Sequence, residues 1–156
     1  MSQHRAWIEW KRGEAVFSDG KYSRGHVWKF DGGITVPASS APEAIRPPLS
    51  VVEAVDPEEA VVAALASCHM LWFLALARKQ GFIVEQYQDE PVGELGKNAE
   101  GKTALLTITL KPLACFAGDN VPSLEQLHAL HHEAHELCYV ANSLKTEVRV
   151  EPRLQP

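Results

Sequence analysis

Asp56-Pro57-Glu58-Glu59-Ala60-Val61-Val62-Ala63-Ala64-Leu65-Ala66-Ser67-Cys68-His69-Met70 runs on through Leu71-Trp72-Phe73-Leu74-Ala75-Leu76-Ala77 to Arg78-Lys79-Gln80-Gly81. Asp56 is a capping residue, Pro57 suits a first helical turn, and Glu58 and Glu59 complement the positive end of the helix dipole. Arg78 and Lys79 fall where the negative end prefers cations, and Gly81 is a natural stop. The stretch predicts one helix ending at about Gln80. Much of it is apolar all round, so it must be buried on most sides. A 156-residue monomer has little interior to hide a helix of roughly 24 such residues, and burial against a second chain is expected. Ser67, Cys68 and His69 interrupt the apolar run. No run of about 20 clean apolar residues remains, so no membrane span is expected.

Upstream, His26-Val27-Trp28-Lys29-Phe30 alternates with period two between the turn signals Ser18-Asp19-Gly20 and Asp31-Gly32-Gly33. His26, Trp28 and Phe30 share one face, and Trp28 and Phe30 are expected in the core. Pro37 to Val55 carries Pro37, Pro42, Pro47 and Pro48 and cannot be a continuous helix. Downstream, Phe82 to Gln88 and Lys102 to Lys111 read as strands separated by a glycine-spaced turn region. Leu106, Ile108 and Leu110 share a face, and Pro112 ends the run. A second helix starts at Ser123, an N-cap with Gln126 three residues on, and reaches about Tyr139, with Asn142 as its stop. Lys145 to Glu151 alternates and closes the chain as a strand. This order predicts an α+β fold with antiparallel sheet.

Composition agrees with one domain spanning residues 1–156, with 46 % hydrophobic and 22 % charged residues. Fifteen Lys and Arg against twenty Asp and Glu leave a net charge of −5. That argues against nucleic-acid partners, which need clustered cations. No signal-peptide core follows Met1-Ser2-Gln3-His4-Arg5, and a cytoplasmic protein is expected. Three cysteines, Cys68, Cys115 and Cys138, make a poor disulfide framework. They fit either inert core thiols or one functional pair with a spectator.

Two clusters carry possible chemistry. Cys68 and His69 lie in the most buried helix, where a thiol is a small hydrophobe unless its pKa is lowered. His128, His131, His132, His135 and Cys138 fall on the second helix, and the steps 128, 131, 135, 138 line one stripe. The stripe is open to two readings, a solvated face or a transition-metal site. Ten residues rise about 15 Å, so only adjacent pairs could share one ion. No glycine-rich phosphate loop and no G-x-S-x-G elbow is present.

Three segments together resemble the OsmC/Ohr family. They are Asp56-Pro57-Glu58-Glu59-Ala60 with Ala63 to Met70, Tyr22-Ser23-Arg24-Gly25-His26 with Trp28 and Phe30 to Gly33, and His132 to Cys138 with Asn142-Ser143. The resemblance covers about residues 18–151. It is closer to the OsmC-like branch, because Tyr139-Val140 rather than Pro-Tyr follows the second cysteine. It implies an intertwined homodimer of OsmC-like fold, with antiparallel sheets around two long central helices. It also implies a thiol-dependent peroxidase acting on organic hydroperoxides, alkyl or fatty-acid. Cys68 would be the peroxidatic cysteine, Cys138 the resolving one, Arg24 the active-site guanidinium and Glu58 its carboxylate partner. No cofactor is implied. The reductant would be an external dithiol, in that family often a lipoylated protein. Glu58 and Cys68 are ten positions apart, about 15 Å on a straight helix. Either the helix breaks near Ala63 to Ser67 or a second subunit completes the site. Two other classes stay open. One is a non-catalytic OsmC-like protein holding a small apolar ligand, with Cys68 as lining; the other is a metal-binding protein using the histidine helix.

Overall fold

Capping chemistry fixes the start of the long helix. In the computed structural model, which describes residues 1–154, helix α1 spans Pro57–Lys79. Asp56 Oδ1 accepts from the Glu59 amide at 2.8 Å, and the Asp56 amide donates to Glu59 Oε2 at 3.1 Å. This reciprocal pair satisfies two amide donors that would otherwise be orphaned. At the other end Gly81 takes φ +80°, and the Phe82 amide reaches back to the Ala77 carbonyl at 3.0 Å. Only glycine enters that left-handed turn without strain.

The chain forms two compact units, Met1–Ala60 and a second beginning at Val61. The first holds an antiparallel sheet in the order β1 (Ala6–Glu9), β2 (His26–Phe30), β3 (Thr35–Ala38), with Trp28 opposite Ile8 and Val36. The proline-bearing segment after β3 folds back on that strand. The Ser39 amide donates to the Val55 carbonyl at 3.0 Å, and the buried Ser39 hydroxyl accepts from the Val51 amide at 3.0 Å. The expected burial of Trp28 and Phe30 is not reached. Trp28 is half-buried, and Phe30 is 39 % exposed. Three strands of four or five residues make too small a layer to cover their own aromatic face.

The second unit holds two sheets. One pairs β4 (Ile83–Gln88) with β7 (Leu113–Ala117). The other has the order β5 (Val92–Lys97), β6 (Thr103–Leu110), β8 (Glu147–Val150). All pairs are antiparallel except β6 with β8, which run parallel. The glycine-spaced region read as a turn is in fact β5. Its glycines answer to packing: a Cβ on Gly93 would lie 2.6 Å from Val62 Cγ2 of α1, and one on Gly96 would lie 2.5 Å from Leu106 Cδ1. Glycine in a strand often marks such a close approach. Strand β7, hidden behind Pro112, escaped the sequence pattern.

Helix α2 spans Leu124–Leu137 and begins in the expected capping box between Ser123 and Gln126. It ends two residues before the expected Tyr139. Cys138 is its extended C-cap, and Asn142 caps it from outside by donating from Nδ2 to the Glu136 carbonyl at 3.0 Å.

By length and composition α1 could cross a membrane, contrary to the reading of its apolar run; about a third of that stretch is buried, in two clusters. Toward its C-terminal end, Phe73, Leu76 and Ala77 pack with Phe82, Leu127, Leu130 and Ala134. Earlier in the helix, Leu65 and Ala66 pack with Ile108, Leu110 and Cys138. Each fully buried large side chain contributes about 1.5–3 kcal/mol. Gly93→Ala is expected to destabilise the protein by about 1–3 kcal/mol, because the new methyl meets a β-branched side chain on a helix that cannot retreat. Urea unfolding checks this; an unchanged midpoint would mean that α1 does not press on β5.

Candidate active site

Cys68 and Cys138 come together from different elements. Cys68 is half-buried on α1 and packs against the cluster that contains Leu65, Ile108 and Leu110. Cys138 belongs to that cluster and is 0 % exposed. It arrives there because α2 stops at Leu137 and the chain turns. The Ala141 amide points at Cys138 Sγ from 3.4 Å, and the Asn142 amide donates to the Cys138 carbonyl at 3.0 Å.

A hydrogen bond links the Cys138 thiol to Cys68. Burial, then the bond to Cys68, pushes the Cys138 thiol up to about 11. Cys138 therefore keeps its proton near neutral pH, and its S–H faces the Cys68 sulfur. No disulfide joins cysteines among the described residues. Cys115 lies half-buried on β7 opposite Gln86.

Cys68 also borders an open groove of about 470 Å³ lined by Ala64, Ser67, Leu71, Trp72, Ala75 and Tyr139. Trp72 and Tyr139 meet edge to face at 5.6 Å. The lining is almost wholly apolar, so the groove suits an apolar molecule. Leu71 and Trp72 belong to the apolar run of α1, whereas Tyr139 comes from beyond the end of α2 and was not singled out in the sequence. The spacing of positions 64, 68, 71, 72 and 75 at intervals of three and four was the available signal for one helix face.

Arg24 and Glu58, both in the first unit, are not paired with each other among the described residues. Arg24 Nη1 donates to the Gly20 carbonyl at 2.8 Å and to the Tyr22 carbonyl. The guanidinium lies over the Tyr22 ring, 4.0 Å from its centroid. Tyr22 in turn stacks on Phe17 at 4.7 Å and meets Trp10 edge to face at 5.4 Å. Arg24 thus lines an aromatic hollow of about 540 Å³ that also includes Pro57, the residue before Glu58. Arg46 is exposed in the proline-bearing segment. Helix α1 is unbroken from Pro57 to Lys79, so the alternative of a helix break near Ala63 to Ser67 is removed.

The histidine stripe of α2 is not one solvated face. His128 and His132 are exposed, His135 is half-buried and His131 is 2 % exposed. His131 Nδ1 faces Nε2 of the buried His69 at 3.0 Å, and the rings stack 3° from parallel.

A family model for the OsmC-like protein matches residues 51–153. An OsmC-like protein of unknown function from Vibrio cholerae is 51 % identical, with a TM-score of 0.96 over 98 % of this chain and 100 % of that one. An organic hydroperoxide resistance protein of Legionella pneumophila shares 16 % identity, with a TM-score of 0.70 over 100 % and 98 % of the two chains. The organic hydroperoxide resistance protein OhrB of Bacillus subtilis shares 17 % identity, with a TM-score of 0.65 over 99 % and 98 %. The last two likenesses are of fold. No curated protein matches. The family model spans more than half of the chain and the Vibrio cholerae relative matches it almost throughout, so the chain belongs to the OsmC-like protein family.

Proposed function

We propose that this protein is a thiol-dependent peroxidase for organic hydroperoxides, with Cys68 as the attacking thiol and Cys138 as the resolving one. The observation that carries the reading is the contact itself: a half-open cysteine on an apolar groove, hydrogen-bonded to a second cysteine that is fully buried and keeps its proton. The hydroperoxide-resistance proteins among its structural relatives lend the substrate class.

The chemistry balances in three steps. The Cys68 thiolate attacks the distal peroxide oxygen, the O–O bond breaks, and the alkoxide leaves and takes up a proton as the alcohol. Cys68 is then a sulfenic acid. The Cys138 sulfur displaces its hydroxyl, forming the Cys68–Cys138 disulfide, and water carries away the Cys138 proton. An external dithiol, of the kind a lipoylated protein carries, reduces that disulfide and is itself oxidised. The apolar walls at Leu71, Trp72 and Tyr139 take the alkyl chain and disfavour hydrogen peroxide, which has none. A reducing cytoplasm suits the three thiols.

Arg24 and Glu58 enter from a second copy of the chain. Ala63, Ala64, Ser67, Leu71 and Ala75 lie exposed on α1 at helical spacing, which is an unpaired apolar face fit for a homodimer. In that assembly an Arg24 guanidinium, released from the Gly20 and Tyr22 carbonyls and held by Glu58, would donate to the peroxide oxygens.

Cys68→Ser is expected to abolish consumption of cumene hydroperoxide, and Cys138→Ser to allow one turnover that leaves a dimedone-trappable sulfenic acid. Normal cycling by Cys138→Ser would remove the resolving role. Three unreacted thiols in the native protein after peroxide treatment would remove the enzyme reading and favour a holder of a small apolar ligand in the same groove. A thiol raised to about 11 carries roughly a hundred-fold less thiolate near neutral pH than one at the ordinary value of 9. Iodoacetamide at pH 8, followed by peptide mass spectrometry, is therefore expected to label Cys68 and spare Cys138 in the native protein. Equal labelling would show that Cys138 is neither buried nor protonated. Sedimentation should give a dimer, and a stable, active monomer would exclude the two-copy site.

A further inference from the structure

We infer that the cleft between α2 and β8 is a second site, which takes one divalent transition-metal ion on the imidazoles of His131 and His135. The cleft holds about 380 Å³ and is lined by His128, His131, His132 and His135 on one side and by Val148 and Val150 on the other. It is separate from the cysteine groove, and the inference is independent of the thiol chemistry.

Three observations carry it. First, His131 is 2 % exposed, and its Nε2 atom has no hydrogen-bond partner. His135 Nδ1 is likewise buried and without a partner. Buried polar atoms are almost always paired, so two orphaned nitrogens one helical turn apart call for a ligand. Second, the His131 ring is held in place. It stacks on Phe73 at 4.3 Å and on His69 at 5.3 Å, with its Nδ1 3.0 Å from His69 Nε2. When His131 Nδ1–H donates to His69 Nε2, the lone pair of His131 Nε2 is left for an ion. That is the usual arrangement of a metal-bound histidine, whose second nitrogen donates to a fixed acceptor. Third, positions 131 and 135 lie one turn apart on a helix, the spacing at which two imidazoles reach one ion.

The chemistry selects the ligand class. The cleft presents four imidazoles and no carboxylate. Oxygen-seeking magnesium and calcium are therefore disfavoured, and zinc, nickel or copper favoured. Among the described residues no three ligating side chains already converge. The site is thus a two-imidazole one, with its remaining positions filled by water or by His128 after side-chain rotation.

The test is equilibrium dialysis of untagged, chelator-treated full-length protein against zinc and nickel salts, with metal read by mass spectrometry. Cys68, Cys115 and Cys138 are alkylated under denaturing conditions in a parallel sample to count thiols. The expected result is one ion per chain, with affinity reduced at least about ten-fold in His135→Ala and in His131→Phe. Circular dichroism confirms that each variant is folded. His135→Ala keeps the proposal falsifiable if His131→Phe fails to fold, because His135 is only half-buried. Binding unchanged in His135→Ala would overturn the proposal, and so would binding lost instead in His132→Ala, which would place the ion on the exposed His128 and His132 pair. Zinc retained by His135→Ala and lost in Cys68→Ser would assign it to the thiols and also overturn it. No binding to the native protein would do the same, without touching the peroxidase reading.

Discussion

The burial of one side of α1 is the constraint on which the second unit depends, because so apolar a helix gains from every face it takes out of water. It is satisfied twice along its length. Leu65 and Ala66 are covered by Ile108 and Leu110 of β6, and Phe73, Leu76 and Ala77 by α2 with support from Val84 and Phe116. Most of the other features follow from that. Gly93 lacks a side chain because Val62 needs the space, and α2 carries Leu127, Leu130 and Ala134 toward the helix. What remains uncovered is the face bearing Ala63, Ser67, Leu71 and Ala75.

The cysteine pair is a product of the same packing. Cys68 sits where the covered side of α1 gives way to the open one, so one sulfur can border both a core cluster and a groove. Cys138 is brought to it by the end of α2, and its burial keeps it protonated. The two thiols thus differ in environment although they are neighbours. Arg24 occupies a different setting, tied to two carbonyls and laid over Tyr22.

Several sequence readings failed for one kind of reason. Gly93 and Gly96 read as turn residues because glycine usually punctuates; here close approach of Val62 and Leu106 demanded it, and β5 is a strand. Phe30 read as core because aromatic residues alternate along β2, but a three-stranded sheet lacks a second layer of its own. The stripe of histidines read as uniform because helical spacing alone cannot say which side is covered. In each case the residue pattern was read correctly, and a neighbour distant in sequence decided its meaning.

The sequence by itself determined the starts of both helices and the end of α1, the caps at Asp56 and Ser123, the strands β2, β4, β6 and β8, and the family. These follow from propensity, dipole and capping rules that act within a few residues, together with motifs that survive as short strings. Only the tertiary structure decided that Cys138 is buried against Cys68, that Tyr139 lines the groove, and that His69 meets His131 across 62 positions. Those pairings depend on how helices and sheets pack, and packing joins residues that no local rule connects.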